Sequence, residues 1–311
     1  MSNLFSAFNE VRKSEWKEKI NTDLKGDDYN EKLISLSEGI NISPIYHADD
    51  KIKTYNCNFP SDWKTYQLID ATDAKKANKR ALTSLQNDVS GLCFSNPNNL
   101  DILLHDIAIE HIRIDFTNYS DEFPKVWQEY AKGKSVQGAF HGITKAVTPN
   151  YLDTIFAEGG TSKEQIHNAF NKGVKTEKKV QFHFEIGSNY FLEIAKIKAF
   201  RVLWRAKTGK NAFIFISTLT ENKKEEFAFN NILRTTTECM SGIFGGANAI
   251  MVNSYNQSFE SATEFSERIA RNQQKILRKE SYLDKVTDPT KGSYYVDYLI
   301  SELLREIKFE T

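Results

Sequence analysis

The feature that most constrains the fold is a regular alternation of short β-rich runs with helical patterns, which begins at Trp63. The candidate strands are residues 66–70, 91–95, 111–116, 137–142, 151–158, 180–187, 212–217 and 249–254. Helical patterns cover residues 75–86, 100–109, 123–132, 162–172, 189–207, 227–244 and 262–279, and the tail 299–311 continues one. Eight strands alternating with helices predict an α/β fold, a (β/α)₈ TIM barrel.

An open, doubly wound sheet is the structural alternative, because it also alternates strands with helices. Such sheets commonly carry a Gly-rich phosphate turn after the first strand, and none follows residues 66–70 here. The barrel is therefore the favoured fold.

Residues 1–55 differ from the rest and predict an N-terminal helical and extended arm ahead of a barrel domain at 56–311. Apolar residues recur here at helical spacing, which favours an amphipathic helix beginning after Ser2 or Ser6. These residues are Phe5, Phe8, Val11, Trp16, Ile20 and Leu24. Fifty such residues form no compact domain alone, so the arm must pack on this barrel or on another subunit.

Composition excludes several classes of function. Lys plus Arg and Asp plus Glu both total 41, so no net charge draws the chain to nucleic acid or to an anionic membrane. The apolar runs are too short to span a bilayer, and the first residues lack an apolar signal core. Cys57, Cys93 and Cys239 share no metal-type spacing, which favours free thiols in a reducing cytoplasm.

In a barrel the chemistry lies at the carboxyl ends of the strands. Those positions hold Asp70, Asn96, Asn118, His141, Glu158, Ser188, Thr218 and Asn253. His141 is the natural candidate for a general base or ligand. No neighbouring sequence element marks it, so a hydrogen-bonded structural histidine is the favoured interpretation.

Two strands place polar residues on one face. Residues 180–185 put Gln181, His183 and Glu185 on the face opposite Phe182 and Phe184. A metal would need a third ligand from elsewhere, so polar layers inside the barrel are the favoured interpretation.

The residues His111, Arg113 and Asp115 repeat this alternation. They predict an internal ion pair and a hydrogen-bonded histidine rather than a catalytic relay.

Two Gly-Gly pairs suggest different roles. Gly159-Gly160 precedes a helix, where an anion could bind the free backbone N–H groups. Gly245-Gly246 follows a helix, where glycine supplies a left-handed cap. Ordinary structural roles are favoured for both pairs.

Longer motifs resemble the barrel domain of the methylmalonyl-CoA mutase family. Residues 234–240 read RTTTECM, residues 253–254 read NS, and residues 265–274 read FSERIARNQQ. The arm carries EGINISPIYHADD, and residues 186–204 read IGSNYFLEIAKIKAFRVLW. The resemblance implies a substrate-binding TIM barrel, which catalytic chains join to a C-terminal cobalamin domain. Those chains interconvert methylmalonyl-CoA and succinyl-CoA by a radical route.

The chain also departs from the family pattern. No D-x-H-x-x-G cobalt-ligand motif occurs among the 311 residues. Aligned by eye, Ala81 replaces a family tyrosine and Ile155 a family histidine, while residues 213–220 lack the family's Arg, His and Gln. Residues 245–248 stand where the family has G-H-T-Q, and Ala247, Asn248 and Met251 are expected at reactive positions. The pattern resembles the family's small, non-catalytic subunit.

The resemblance therefore implies the small subunit of a heterodimeric, adenosylcobalamin-dependent mutase, with the cofactor and the isomerisation in a large partner subunit. We assign no catalytic, cofactor-binding or metal-binding residue to this chain. Trp16, Phe5 and Phe8 are the expected interface anchors, with packing on the chain's own barrel as their alternative. Two other hypotheses stay open: a shortened barrel with its own acyl-CoA or small-molecule pocket, in which His141, Glu158 and His183 would matter, and a self-associating barrel.

Overall fold

The computed structural model describes residues 6–60, 62–144 and 150–305. Its first elements form the arm: helices α1 (Lys13–Asp23) and α2 (Tyr29–Leu33), then a hairpin of β1 (Ser35–Ser37) and β2 (Ile40–Ile42). The helix begins later than the sequence pattern predicts, with Arg12 as its N-cap. The hairpin is a feature that the pattern did not predict. Glu38 and Gly39 form its turn with φ of 47° and 78°, as the tightest β-turns between antiparallel strands require.

A closed barrel of eight parallel strands follows, which confirms the predicted fold and excludes the open sheet. The strands are β3 (Lys64–Asp70), β4 (Gly91–Ser95), β5 (Arg113–Thr117), β6 (Gln137–Phe140), β7 (Tyr151–Phe156), β8 (Val180–Ile186), β9 (Ile214–Thr218) and β10 (Ala249–Met251). Closure occurs between the first and last of them, where Met251 of β10 is paired with Tyr66 of β3. Each strand falls within two or three residues of its predicted position.

Helices cover the outside of the barrel. They are α3 (Ala74–Leu85), α4 (Leu100–Leu103), α5 (Phe123–Tyr130), α6 (Ser162–Val174), α7 (Tyr190–Thr208), α8 (Asn230–Gly245), α9 (Glu264–Lys279) and α10 (Tyr294–Leu304). Two predicted helices are shortened by a left-handed residue, which a regular helix cannot contain. Asp106, at φ 58°, lies beyond the early end of α4, and Phe227, at φ 56°, precedes the late start of α8.

Alternation along the strands separates an outer apolar layer from the barrel interior. Outward residues such as Phe94, Phe116 and Phe182 are fully or nearly fully buried against the helices. Gly246 caps α8 with φ 84°, as predicted for this glycine. Within the described residues, no helix has the length and apolar character needed to cross a bilayer.

The second half of the arm packs on this chain's own barrel. Ile40 is only 2% exposed, and the hydroxyl of Tyr298 in α10 donates to the carbonyl of Asn41 at 2.9 Å. Tyr46 stacks between Tyr295 and Tyr298, with ring centroids 5.3 and 4.8 Å away. From the hairpin onward, the arm therefore packs against the outside of the barrel and does not extend freely into solvent.

The first half of the arm differs. Trp16 is half-buried and meets Tyr29 of the same arm edge-on, with centroids 6.2 Å apart. Phe8 is 74% exposed, and Phe5 lies outside the described residues. Of the expected anchors, Trp16 thus has a partner inside the arm, whereas Phe8 faces solvent.

Gly138 in β6 marks a close approach between two strands. A Cβ added there would collide with the carbonyl oxygen of Ile114 in β5 and lie 2.8 Å from the Tyr151 ring. We expect Gly138→Ala to lower the free energy of unfolding by about 3 kcal/mol, the upper end of typical overpacking penalties. Urea denaturation followed by circular dichroism measures this change.

Gly160→Ala is the matched control, because its Cβ would meet only the carboxylate of Glu164 at an ordinary 3.6 Å. Its stability should stay within about 0.5 kcal/mol of the parent. Equal stabilities of the two variants would show that the β5–β6 approach imposes no steric limit.

Candidate functional site

The barrel interior is built around a buried carboxylate, Asp115 in β5, which is 0% exposed. Its Oδ1 accepts a hydrogen bond from the Tyr66 hydroxyl of β3 at 3.0 Å. Its Oδ2 accepts from Nε2 of Gln181 in β8 at 3.0 Å and lies 3.3 Å from Nε2 of His141. Strands from different parts of the chain thus converge on one acidic group.

Arg113, two residues before Asp115 on the same strand, supplies the positive charge. Its Nη2 lies 3.8 Å from Asp115, and its Nε donates to the Tyr66 hydroxyl at 2.8 Å. The guanidinium also stacks on the ring of Phe213, 4.4 Å from the centroid, which fills the interior towards the amino ends of the strands. The predicted internal ion pair is confirmed.

The pKa values reflect this arrangement. Burial alone would raise the pKa of Asp115, but the hydrogen bond from His141 and the charge of Arg113 hold it below its ordinary value. Burial raises the pKa of Tyr66 well above its ordinary value, and the neighbouring Asp115 charge adds to this rise. Asp115 is therefore a fixed anion and Tyr66 a fixed neutral donor, so neither is poised to exchange protons near neutral pH.

A second layer, nearer the carboxyl ends of the strands, contains the two candidate histidines. His141 and His183 meet with ring centroids 5.4 Å apart and share contacts with Phe156 and Phe215. Nε2 of His183 lies 2.8 Å from the Ser217 hydroxyl of β9. Burial lowers the pKa of His183 well below its ordinary value, and the charge of His141 lowers it further. Both imidazoles are thus engaged by the protein.

This result fits the structural interpretation of both polar faces. Gln181 and His183 do lie inside the barrel, whereas Glu185 reaches the exposed rim. The hydrogen-bonded histidine beside the ion pair is His141, because His111 lies before β5 and is exposed. Among the described residues, no three His, Cys, Asp or Glu side chains are grouped so that they could hold a metal ion.

The predicted strand-end residues form hydrogen bonds at the rim, either with one another or with neighbouring polar residues. Asp70 accepts from Thr72 and from Asn96 at 3.2 Å, and Asn118 donates to Ser95 at 3.1 Å. Asn253 donates to the carbonyl of Thr218 at 2.5 Å, and Ser188 accepts from Asn222 at 2.8 Å. Glu158 lies apart, in an exposed ion pair with Lys172.

An open cavity of about 590 Å³ lies at the mouth of the barrel, over β3, β4 and β10. Asp70, Ser95, Asn253, Gln257 and Glu260 contribute polar groups to its wall. His141, His183 and Glu158 do not line it. The cavity could hold a polar ligand, but the structure does not bring the three candidate residues to it.

The amino end of α6 is occupied by the arm. Glu38, in the hairpin turn, accepts hydrogen bonds from the backbone N–H of Ser162 at 2.6 Å and from its hydroxyl at 3.2 Å. The N–H groups of Gly160 and Thr161 donate to Glu164. Protein carboxylates therefore take the positions that an anion would need at Gly159-Gly160.

The strand register shows where the residues aligned with family positions lie, and it corrects the expectation for Ala247 and Asn248. Ile155 faces outward into the helix layer, and its neighbours Thr154 and Phe156 face inward, where Thr154 bonds Gln181 and Phe156 meets both histidines. Ala247 and Asn248 precede β10 and so lie at the amino end of the barrel, away from the mouth. Met251 does face the interior, and Ala81 is buried in the outer layer.

Sequence reasoning missed Tyr66, Thr154 and Ser217 as members of the interior network. Strand alternation was the available signal, since Tyr66, Leu68 and Asp70 share one face of β3. Their bonding partners are 27 to 49 residues away in sequence, and the alternation does not specify which strands become neighbours.

Comparisons with known proteins agree with the long motifs. A family model described as methylmalonyl-CoA mutase matches residues 160–309. The methylmalonyl-CoA mutase small subunit of Porphyromonas gingivalis is 28% identical, across 97% of this chain and 62% of that protein. The methylmalonyl-CoA mutase of Rhizobium meliloti is 37% identical, across 45% of this chain and 22% of that protein. The chain thus spans under two thirds of each relative.

Among solved structures, Plasmodium falciparum HPPK-DHPS has a TM-score of 0.44 at 12% identity, across 96% of this chain and 59% of that one. The dihydropteroate synthase of Thermus thermophilus has a TM-score of 0.39 at 11% identity, across 70% of this chain and 96% of that one. Likenesses this weak carry no information about function.

The interior network predicts a large effect for Asp115→Ala. Its removal leaves Arg113 as a buried cation without a counter-charge and takes the acceptor from Tyr66 and Gln181. Breaking a buried ion pair in this way costs about 3–5 kcal/mol of unfolding free energy. Chemical denaturation measures the loss.

Asp23→Ala is the control for that measurement, since Asp23 pairs with Lys19 at the surface and is half-exposed. It should change stability little. A loss for Asp115→Ala no larger than that of Asp23→Ala would rule out Asp115 as the centre of the interior.

The lowered pKa of the buried His183 predicts how the free energy of unfolding depends on pH. Its folded pKa lies below the unfolded value of about 6.5, so between the two the unfolded chain binds the extra proton. The free energy of unfolding should therefore fall as the pH drops below about 6.5, by up to about 1.4 kcal/mol per pH unit from this group. His183→Gln should flatten that slope between pH 6.5 and 5.

The exposed His105 provides the comparison for the pH series, because its side chain is 72% exposed. His105→Gln should keep the slope of the parent protein. Identical slopes for the parent and His183→Gln would contradict the assignment of a buried, neutral His183.

Proposed function

We propose that this chain is a member of the methylmalonyl-CoA mutase family, to which its residues 160–309 and its small-subunit relative point. Within that family we propose that it is the non-catalytic small subunit of a heterodimeric, adenosylcobalamin-dependent mutase. The large subunit would interconvert methylmalonyl-CoA and succinyl-CoA, and this chain would support its assembly and stability. Its three cysteines are free thiols, which suits the cytoplasmic location that we also propose.

The observation that carries this proposal is that the polar side chains inside the barrel are hydrogen-bonded or ion-paired with one another. Catalysis needs donors directed at the atoms where charge develops in the transition state. Here Arg113 forms an ion pair with Asp115 and donates hydrogen bonds to Tyr66 and Gln181. His183 is hydrogen-bonded with Ser217, and His141 with Asp115. The Arg113–Phe213 stack fills the interior towards the amino ends. These groups hold the barrel together, and their donors are already used.

The same residues do not suit cobalamin ligation. A cobalt-ligating histidine needs a free ring nitrogen that the cofactor can reach. The His141 side chain is only 3% exposed, with Nε2 engaged by Asp115. Nδ1 of His183 has no partner among the described residues but is fully buried. We therefore place adenosylcobalamin in the large subunit and derive no step through it here.

The start of the arm is the proposed contact with the large subunit. Phe8 and Val11 are 74% and 59% exposed, and Leu36 on the hairpin is 71% exposed. Large apolar side chains at such exposure are typical of protein interfaces when they are clustered along one segment. Trp16 would hold α1 in place through its contact with Tyr29 of the same arm.

A second candidate function rests on the cavity at the mouth, whose volume of about 590 Å³ lies within the range of small-molecule sites. Its polar wall could bind part of an acyl-CoA. In that case this chain would bind the acyl-CoA without a large subunit.

The deciding experiment co-expresses this chain with a large mutase subunit from the same organism. We expect a 1:1 complex by size-exclusion chromatography with light scattering. Isomerisation of methylmalonyl-CoA should require the large subunit and be absent for this chain with adenosylcobalamin. Turnover by this chain alone would overturn the non-catalytic role, and saturable acyl-CoA binding by the chain alone would favour the second candidate.

Phe8→Ala tests the arm contact. If Phe8 is an interface anchor, the dissociation constant of the complex should rise at least tenfold, since buried aromatic anchors contribute about 2 kcal/mol or more. The melting temperature of the isolated chain should not change, because Phe8 is mostly exposed. Phe265→Ala, which alters an exposed aromatic residue of α9, is the control. Equal affinities of the two variants would place the interface elsewhere.

A further inference from the structure

A separate cavity of about 330 Å³ lies at the amino end of the barrel, opposite the mouth. It is formed by residues 56–58 after the arm, by α7 and by the start of the segment leading into β9. Arg201 and Arg205 line it, together with the amides of Asn56, Asn58 and Asn211. No aspartate or glutamate belongs to its wall, so the wall carries two positive charges and no negative one.

Arg201 is a buried cation, 5% exposed, and no carboxylate of the described residues acts on it. Its Nε donates to the carbonyl of Gly246 at 2.9 Å, and its Nη1 to the carbonyl of Ala212 at 3.2 Å. Its Nη2 donates to the amide oxygen of Asn248 at 2.5 Å. These oxygens satisfy the hydrogen bonds but do not neutralise the charge. Burial accordingly lowers the pKa of Arg201 to about 10.

Three buried lysines of this chain, in contrast, form ion pairs with carboxylates. Their side chains, those of Lys223, Lys198 and Lys196, are each no more than 2% exposed. They are paired with Glu238 at 2.7 Å, Asp288 at 3.0 Å and Glu193 at 2.5 Å, respectively. A buried charge without a partner is unfavourable. Arg271 is also buried without an ion pair among the described residues, but the charges of Glu267 and Glu264 partly offset the lowering of its pKa by burial. No carboxylate acts on Arg201 in this way.

Free donors surround the same space. Across the described residues, the side chains of Arg205, Asn56, Asn58 and Asn211 make no hydrogen bond and no ion pair with the protein. Burial raises the pKa of the Cys57 thiol, which also lines the cavity, to about 11, so it adds no negative charge at neutral pH. The cavity thus offers positive potential and unused N–H groups to an anion.

We propose that this cavity binds a small phosphate-type oxyanion, either inorganic phosphate or a phosphate monoester. The anion neutralises Arg201 through space, Arg205 donates charge-assisted hydrogen bonds to it, and the asparagine amides fix its orientation. The volume suits a phosphate group with a small organic substituent. The site lies on this chain alone and does not depend on a partner subunit.

The test uses the full 311-residue chain, titrated with sodium phosphate at constant ionic strength made up with sodium chloride. Isothermal titration calorimetry should show saturable binding, and the melting temperature should rise with phosphate to a plateau. Arg205→Gln should weaken binding at least tenfold, because it removes an exposed charge-assisted donor without disturbing Arg201. Asn211→Ala should weaken binding less.

Lys207→Gln is the matched control, since Lys207 is an exposed cation of the same helix that does not line the cavity. It should bind phosphate like the parent chain. Glycerol 3-phosphate separates the two sources: tighter binding than inorganic phosphate indicates a monoester, and weaker binding indicates free phosphate. No phosphate-specific stabilisation, or equal affinities for the parent and Arg205→Gln, would overturn the proposal.

Discussion

The charge on Asp115 is the constraint on which the barrel interior depends. The charge of a fully buried carboxylate must be stabilised by neighbouring groups. Here Arg113 supplies an ion pair, and three side chains form hydrogen bonds with the carboxylate: Tyr66, His141 and Gln181. Each partner belongs to, or directly follows, a different strand. The ion pair therefore fixes the relative positions of the strands as well as filling the centre, and this is a structural rather than a chemical use of polar residues.

The same principle of compensation explains how the arm is attached. Glu38 sits at the positive end of α6, where a carboxylate is stabilised by the helix dipole and by unpaired N–H groups. The tyrosines of α10 hold the following segment by ring stacking. With the hairpin and the following segment packed on the barrel, Phe8, Val11 and Leu36 are the large apolar side chains of the described arm that stay exposed. Arg201 is buried without a carboxylate partner among the described residues, and this feature motivates the proposed oxyanion site.

Sequence periodicity predicted the eight strands because each has a strong local signal, and the order of the elements then specified the barrel. It also predicted the inward face of β8, with Gln181 and His183. It failed where a single backbone conformation decides the outcome, as at Asp106 and Phe227, whose left-handed φ values end or delay a helix. Alignment with the family pattern led us to expect Ala247 and Asn248 at reactive positions, but both precede β10 and lie at the amino end of the barrel.

The partners of Asp115 could not be predicted for a different reason. They come together only when the sheet closes, and no local pattern encodes that contact. The missing counter-ion of Arg201 is likewise invisible in the sequence, because acidic residues are plentiful along the chain and only the fold decides which cations they reach.

The seam between β3 and β10 has a consequence for how the chain acquires its structure. Tyr66 pairs with Met251, so the first strand of the barrel to be synthesised pairs on one side with the last. Until β10 emerges from the ribosome, β3 and β9 present open edges that can pair with strands of another chain. Contacts so distant in sequence also slow folding. A nascent chain of this kind would benefit from chaperone protection until its final strand is made.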